Sequence, residues 1–252
     1  MAVADKTNDA PSLDDRLSIR ERPRTSSIMH QTWGKLLFIH WPISPELIRP
    51  LVPAGLELDL FEGTAWVAIA PFTMWGIRPR FTPTLPLLNR CHELNVRTYV
   101  YVNRVPGVWF FSLDANHALA VLVGRQAFHL PYFKAEIELE QSGQTIDYRL
   151  SRSSKLAQAS FEATWQFAPE TAQAEPGSLE FFLIERYSLY AADRAQLYRA
   201  RIWHRPWALH RASLTSLRST MLESHGMTTP NVEPLLHYSE SLQVEIWPPQ
   251  KV

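Results

Sequence analysis

The chain has 252 residues, 25 Lys+Arg against 25 Asp+Glu for a formal net charge of zero, 46% hydrophobic residues and 20% charged ones. That is the profile of a globular domain with a sizeable core, and it excludes the basic surface that a nucleic-acid or acidic-membrane partner requires. The single cysteine, Cys91, excludes an intrachain disulfide and a cysteine-cluster metal site.

No apolar run approaches the roughly 20 residues of a membrane span, and the charged N-terminus has no hydrophobic signal core. With one thiol, this points to a cytoplasmic protein with no membrane partner. Aromatic residues make up 12%, including nine Trp. Such side chains build thick cores and line apolar pockets, and on the surface they could support a homo-oligomer.

In chain order, residues 1–27 are polar and of mixed charge and read as a disordered or loosely docked tail, leaving residues 28–252 as one domain. Trp33 to Trp41 reads as a first strand. Ser44-Pro45-Glu46 is a helix start, with Ser to cap, Pro at the first helical position and Glu against the positive helix end. Leu56 to Phe61 alternates as a half-buried strand, and Glu62-Gly63 turns the chain into a strand from Ala65 to Trp75. The proline-rich run Ile77 to Leu88 reads as an irregular loop.

His92 to Val102 is the most informative strand. Its even positions (Leu94, Val96, Thr98, Val100, Val102) are ordinary core, while its odd positions present Glu93, Asn95, Arg97, Tyr99 and Tyr101 on one face. After a strand from Val108 to Leu113, Asp114 is expected to cap a helix running to about Phe128, stopped by Pro131. Phe133 to Glu140, Ile146 to Ser151 and Ser160 to Phe167 read as further strands. Ser178 caps a short helix. Leu214 to Ser224 is expected as another helix, and Leu235 to Trp247 as the last strand. Many strands, few short helices and no βαβ rhythm predict an α+β, mostly β, antiparallel sheet that curls or closes around an interior.

Glu93 and Arg97 lie four residues apart on one strand face, about 13 Å along it. Framing a cavity, Arg97 would hold a carboxylate through its fork and Glu93 would act as acid or base. On a solvated face, the same residues would only form cross-strand ion pairs. Tyr99 beside them favours the cavity, because a solvated face seldom carries such bulk.

Arg125 and His129, one helical turn apart, and Tyr132 just beyond could reach the same ligand. Alternatively they are a helix end whose cations satisfy its last carbonyls. Lys134 shares its face with Glu136, Glu138 and Glu140 and reads as a surface lysine. The histidine spacings contain no HExxH, so no metal is assigned, and neither a GxSxG elbow nor a glycine-rich phosphate loop is present. No cofactor is called for.

The stretches WGKLLFIHW, HELNVRTYV, GVWFFSLDA, FHLPYF, ERYSLYA, PWALH and LLHYSESLQVEIW together resemble the YqjF-like bacterial family, over about residues 30 to 248. That family has no settled activity and is grouped with the acetoacetate decarboxylase-like superfamily. The resemblance implies a cone-like, mostly antiparallel β-barrel with a few flanking helices and an interior cavity. In the decarboxylases a lysine forms a Schiff base with a β-keto acid. Their motif, Gly-Arg-Glu followed after a short gap by Phe-Pro-Lys-Lys, is matched here by Gly124-Arg125-Gln126 and Leu130-Pro131-Tyr132-Phe133. The lysine pair falls on Tyr132 and Phe133. Their cavity glutamate falls on Glu93.

The expectation is therefore a small-molecule-binding barrel lined by Glu93, Arg97, Tyr99, Arg125, His129 and Tyr132. As an enzyme on small carbonyl or carboxylate compounds, it would use Glu93 and Tyr132 for acid/base or lyase-like chemistry, without a Schiff base. The alternatives are a non-catalytic carrier or sensor with the same cavity, and an assembly protein whose barrel is filled.

Overall fold

The computed structural model of the chain describes residues 10–80, 90–154 and 157–252. Among the described residues, fourteen strands form one sheet. β1 (Met29–Ile43) pairs antiparallel with β3 (Ala65–Pro79), and β3 with β4 (Arg90–Val102). β4 turns back into β5 (Val105–Ala115) through Asn103 and Arg104, both at positive φ, as a tight two-residue hairpin requires. β5 runs parallel to β10 (Ser188–Asp193), which pairs with β11 (Gln196–His204). β13 (Leu235–Ile246) pairs with both β11 and β1 and closes the ring β11-β10-β5-β4-β3-β1-β13.

From β13 the sheet continues outward through β12 (Leu209–Ser219), β9 (Ala159–Ala172), β8 (Thr145–Arg152) and β7 (Glu136–Ser142), a wing that folds back over the ring. Short strands complete it: β2 (Glu57–Leu58) on β4, β6 (Tyr132–Lys134) on β5 and β14 (Gln250–Lys251) on β11.

Two cores result. One fills the interior of the ring and holds Leu36, Phe38, Phe72, Met74, Phe110 and Trp207. The other lies between the ring and the wing, with Leu37, Ile39, Val67 and Ile69 facing Tyr148, Phe161 and Trp165. β1, β3 and β4 supply alternate residues to each core, so neither of their faces meets solvent. That is why β3 from Ala65 to Phe72 and β1 from Leu36 to Ile39 are apolar without alternation, while β4 keeps Glu93, Asn95 and Arg97 on its cavity face. At Gly34, where β1 bulges ahead of Lys35 (φ 51°), an added Cβ would stand 2.3 Å from the carbonyl oxygen of Glu240 and 2.4 Å from the Trp75 ring, so no side chain fits.

The helices are short: α1 (Leu13–Ser18), α2 (Pro45–Ile48), α3 (Ala118–Phe128) and α4 (Leu179–Ile184). Among the described residues no helix is long and apolar enough to cross a membrane. α2 starts at the expected serine, but the Ser44 hydroxyl bonds the Glu46 carboxylate rather than a backbone N–H.

Three expectations are corrected. Asp114 does not cap a helix. β5 runs through it to Ala115, paired on both sides by β4 and β6, and α3 begins only at Ala118 after His117. Sheet pairing outcompetes the capping preference because Asp114 is wholly buried against Arg152. Leu214 to Ser224 is not a helix either. Leu209–Ser219 is strand β12 between β9 and β13, followed by a 3₁₀ turn at Glu223–His225. The strand expected from Phe133 to Glu140 is two strands, β6 and β7, with Ala135 between them.

In the segment expected as a tail, residues 10–27 carry α1, closed by a reciprocal Ser12–Asp15 capping box, and several ties to the ring. Arg16 grips Asp59, Arg22 grips Glu245 in a fork at 2.8 and 2.8 Å, and Arg201 donates to the Ile19 carbonyl. Residues 1–9 and the 81–89 part of the expected proline-rich loop lie outside the described residues.

Candidate functional site

A cavity of about 210 Å³ occupies the interior of the ring. Its walls are mainly apolar, built by Trp33 and Phe38 of β1, Phe72 and Met74 of β3, and Phe110 of β5, with Phe128 of α3 along one side. The filled-barrel alternative, which requires no cavity, is thereby set aside. The odd face of β4 points in as its alternation predicts: Glu93, Asn95 and Arg97 all line the cavity, while Leu94 and Val96 pack toward the wing.

Glu93 is 2% exposed. Its Oε2 accepts a hydrogen bond from the Tyr132 hydroxyl at 2.9 Å, and its backbone carbonyl accepts one from Tyr148 of the wing, also at 2.9 Å. Burial pushes the Glu93 carboxyl up to about 8, against the lowering effect of the Tyr132 bond and with a smaller push from the charge on Asp114. At neutral pH Glu93 is therefore mostly protonated. Tyr132 stays a neutral donor, its phenol raised well above the ordinary range by burial and then by Glu93. With Oε2 occupied by Tyr132, the acid proton of Glu93 sits on the other oxygen, free for a ligand.

Tyr132 owes its position to a glycine. It lies on three-residue β6, just after α3, whose left-handed end at His129 (φ 54°) and Pro131 send the chain back along β5. Its ring packs against α3 at Gly124, where an added Cβ would be 2.3 Å from ring carbons. Gly124→Ala tests this. Alanine favours a helix by up to about 1 kcal/mol. Forcing the ring off a packed position costs about 1–3 kcal/mol. The expected outcome is a net loss of stability in urea titration and, with the Tyr132 bond to Glu93 broken, an altered pH profile for any reaction that depends on Glu93.

Arg97 reaches across the floor of the cavity, its Cζ 5.3 Å from the Phe38 ring centroid, and its Nε and Nη2 are buried without a hydrogen-bond partner. Tyr99 lies beneath that floor rather than among the lining residues. It is fully buried, its hydroxyl 2.7 Å from His40 Nε2.

Arg125 and His129 also stand apart from the cavity. Arg125 is exposed and donates Nε to the Tyr132 carbonyl of β6 at 2.7 Å, rather than to a carbonyl of its own helix. His129 stacks on Tyr198 and has Asp193 3.9 Å away. The structure thus brings Glu93, Arg97 and Tyr132 together and places Tyr99, Arg125 and His129 around them.

At the positions matching the decarboxylase lysines, Tyr132 bonds Glu93 and Phe133 packs under Arg152, whose Cζ is 4.4 Å from the ring centroid. Lys134 is exposed, and its Nζ donates to the carbonyls of Asn116 (2.7 Å) and Ala135 (3.3 Å). No lysine is among the residues described as lining the cavity.

Sequence reasoning missed three polar lining residues, Gln31, Arg186 and His204. Arg186 did leave a signal. It stands in FFLIERYSLY, where two adjacent charges interrupt a run of apolar and aromatic residues, and charges in such a run are buried and paired.

Comparison with known proteins agrees with this architecture. The "Uncharacterized protein YqjF" of Bacillus subtilis (strain 168) is 43% identical over 224 residues, covering 89% of this chain and 92% of that one. Among solved structures, the enduracididine biosynthesis enzyme MppR complexed with pyruvate superposes with a TM-score of 0.63 at 13% identity, covering 92% of this chain and 93% of that one. Acetoacetate decarboxylase from Legionella pneumophila gives 0.62 at 15% identity, covering 96% and 95%. At such identities the likeness is one of fold: mostly β, with few helices, as in the acetoacetate decarboxylase-like proteins. Residues 30–243 match the family DUF2071, described as uncharacterized conserved protein, and the chain belongs to that family.

Proposed function

We propose that the cavity binds a small carbonyl or carboxylate compound and acts on it by acid/base chemistry without a covalent lysine adduct. The observation that carries this is the buried Glu93, held by Tyr132 and facing an apolar cavity that also contains the unpartnered N–H groups of Arg97.

A general acid works best with a pKa near the operating pH, and Glu93 is tuned to that range by burial. Arg97 would hold the ligand's anionic group in a fork. Tyr132 would donate a hydrogen bond near oxygen charge that develops during reaction. MppR, of like fold, is complexed with pyruvate, a small keto acid, which is the class of compound that an acid and a guanidinium recognise.

A non-catalytic carrier or sensor is the second reading, and the mainly apolar lining favours it. The exclusion of Schiff-base chemistry is tested by borohydride reduction in the presence of acetoacetate. Intact-mass measurement is expected to show no adduct; a stable adduct on Lys134 would overturn the proposal.

A further inference from the structure

Two guanidiniums face the cavity with N–H groups that the described residues leave unanswered. Arg97 contributes Nε and Nη2, and Arg186, in the turn ahead of β10, contributes Nη2. They come from distant points of the chain and both approach one ring: the Cζ of Arg186 is 4.7 Å and that of Arg97 is 5.9 Å from the Tyr99 centroid. The carboxylate bonded here is Asp59, and it is already divided. It accepts from Arg186 Nη1 at 2.5 Å and from both terminal nitrogens of Arg16 at 2.8 and 2.6 Å.

Arg16 and Arg186 thus share the one Asp59 carboxylate, while the Arg97 guanidinium stands over the Phe38 and Tyr99 rings. His40 adds no anion, since it is buried and bound to the Tyr99 hydroxyl. Positive charges crowded out of water are costly unless an anion completes them. A carboxylate, with four lone-pair sites in a plane, matches two guanidinium edges.

The position of this floor constrains the ligand. Glu93 and Arg97 are four strand residues apart, about 13 Å between their Cα atoms. The Arg97 guanidinium lies between Phe38 and Tyr99, its Cζ 5.3 and 5.9 Å from their ring centroids, while Glu93 is turned to Tyr132. The wall between the two ends is apolar, with Phe38, Phe110 and Trp207 among its residues.

We infer that Arg97 and Arg186 together form the subsite for the ligand's carboxylate, and that the ligand is a medium-chain oxo acid whose carboxylate and carbonyl are separated by several methylenes. This rests on the acid/base reading above and fixes which end of the ligand meets Glu93. The carboxylate lies on the Tyr99 floor, the chain lies along the apolar wall, and the carbonyl oxygen receives hydrogen bonds from Glu93 and Tyr132. A two- or three-carbon acid cannot span both ends.

Calorimetric titration with 7-oxooctanoate, 7-oxooctanamide and pyruvate tests the inference. The acid is expected to bind at least about 10-fold more tightly than either its amide or pyruvate, the effect of one or two charge-assisted hydrogen bonds. Arg97→Gln and Arg186→Gln should each weaken the acid by about 10-fold or more and leave the amide unchanged. Arg186→Lys keeps a cation for Asp59 and is read in place of Arg186→Gln if the latter does not fold; it should weaken the acid in the same sense.

If only the Arg97 variant matters, or if pyruvate binds as well as the longer acid, the two-guanidinium subsite is wrong while the acid/base reading survives. If no carboxylate binds to the wild-type protein, both are wrong.

Discussion

Glu93→Gln is expected to lower turnover of a carbonyl substrate by about 10²–10⁴-fold, the usual worth of a positioned acid or base. KM should stay within a few-fold, because the amide still accepts from Tyr132 and the guanidiniums of the floor are untouched. Steady-state kinetics on a panel of oxo acids, with binding measured separately, decides between the two readings of the cavity. Loss of turnover with binding intact identifies an enzyme. Tight binding without turnover on any compound, in wild type and variant alike, identifies a carrier.

The same substitution has a signature in stability. An unfolded glutamate titrates near 4.5 and the folded Glu93 near 8. Between those values the folded chain holds a proton that the unfolded chain releases. Stability from this group is therefore fully present below about pH 4.5 and is lost as pH rises to about 8. The total is on the order of a few kcal/mol. Urea titrations at pH 5 and pH 8 should show wild type losing stability and Glu93→Gln losing much less. Equal losses in the two proteins would mean that Glu93 titrates normally.

Asp114→Ala is expected to destabilise the fold by about 3–5 kcal/mol, the cost of leaving one partner of a buried ion pair alone. Arg152 is wholly buried, with its Nη1 3.4 Å from Asp114 Oδ1. Without Asp114 its remaining partners are the Ser224 hydroxyl at 2.8 Å and the face of Phe133. The pair is long, and burial lifts Asp114 to about 6 in spite of Arg152, so it is tolerated rather than strongly favoured.

The double change Asp114→Leu, Arg152→Met should accordingly recover most of the loss in thermal denaturation. If it is no better than Asp114→Ala, the pair is a net stabiliser. Asp114→Asn adds a functional readout. The charge on Asp114 is one of the causes raising Glu93, so the pH profile of turnover should move to lower pH.

Much of this was legible in the sequence because β4 obeys a period of two. Once His92 to Val102 is a strand, Glu93, Asn95 and Arg97 must share a face, and the structure puts all three on the cavity. Tyr132 was legible only through the resemblance around Leu130-Pro131, since a three-residue strand has no periodicity to read.

Tyr99 illustrates the limit of alternation. It occupies the right face, but the strand twists and β4 slips register against β5 between Val96 and Arg97, so its ring ends beneath the floor. Arg125 and His129 misled because a helix C-terminus attracts cations whether or not a ligand is near. Leu214 to Ser224 misled because its short polar residues and leucines fit a helix locally. Only partners remote in sequence, β9 and β13, decide for a strand.

The strands with no solvent face impose an asymmetry on how this scaffold can diverge. In β1, β3 and β4, inward residues that line the cavity alternate with outward ones locked against the wing, as Val96 is between Asn95 and Arg97. A change on either side shifts the backbone that the other side depends on, so drift there is penalised twice. α3 is under no such double constraint except at Gly124, where the Tyr132 ring leaves no room for a side chain. Leu119, Val123 and Gly124 line the cavity, while Leu122, Gln126 and Ala127 on the same helix face solvent and are free to vary. New ligand preferences therefore have room to accumulate along α3, while the acid and the guanidinium of β4 stay where they are.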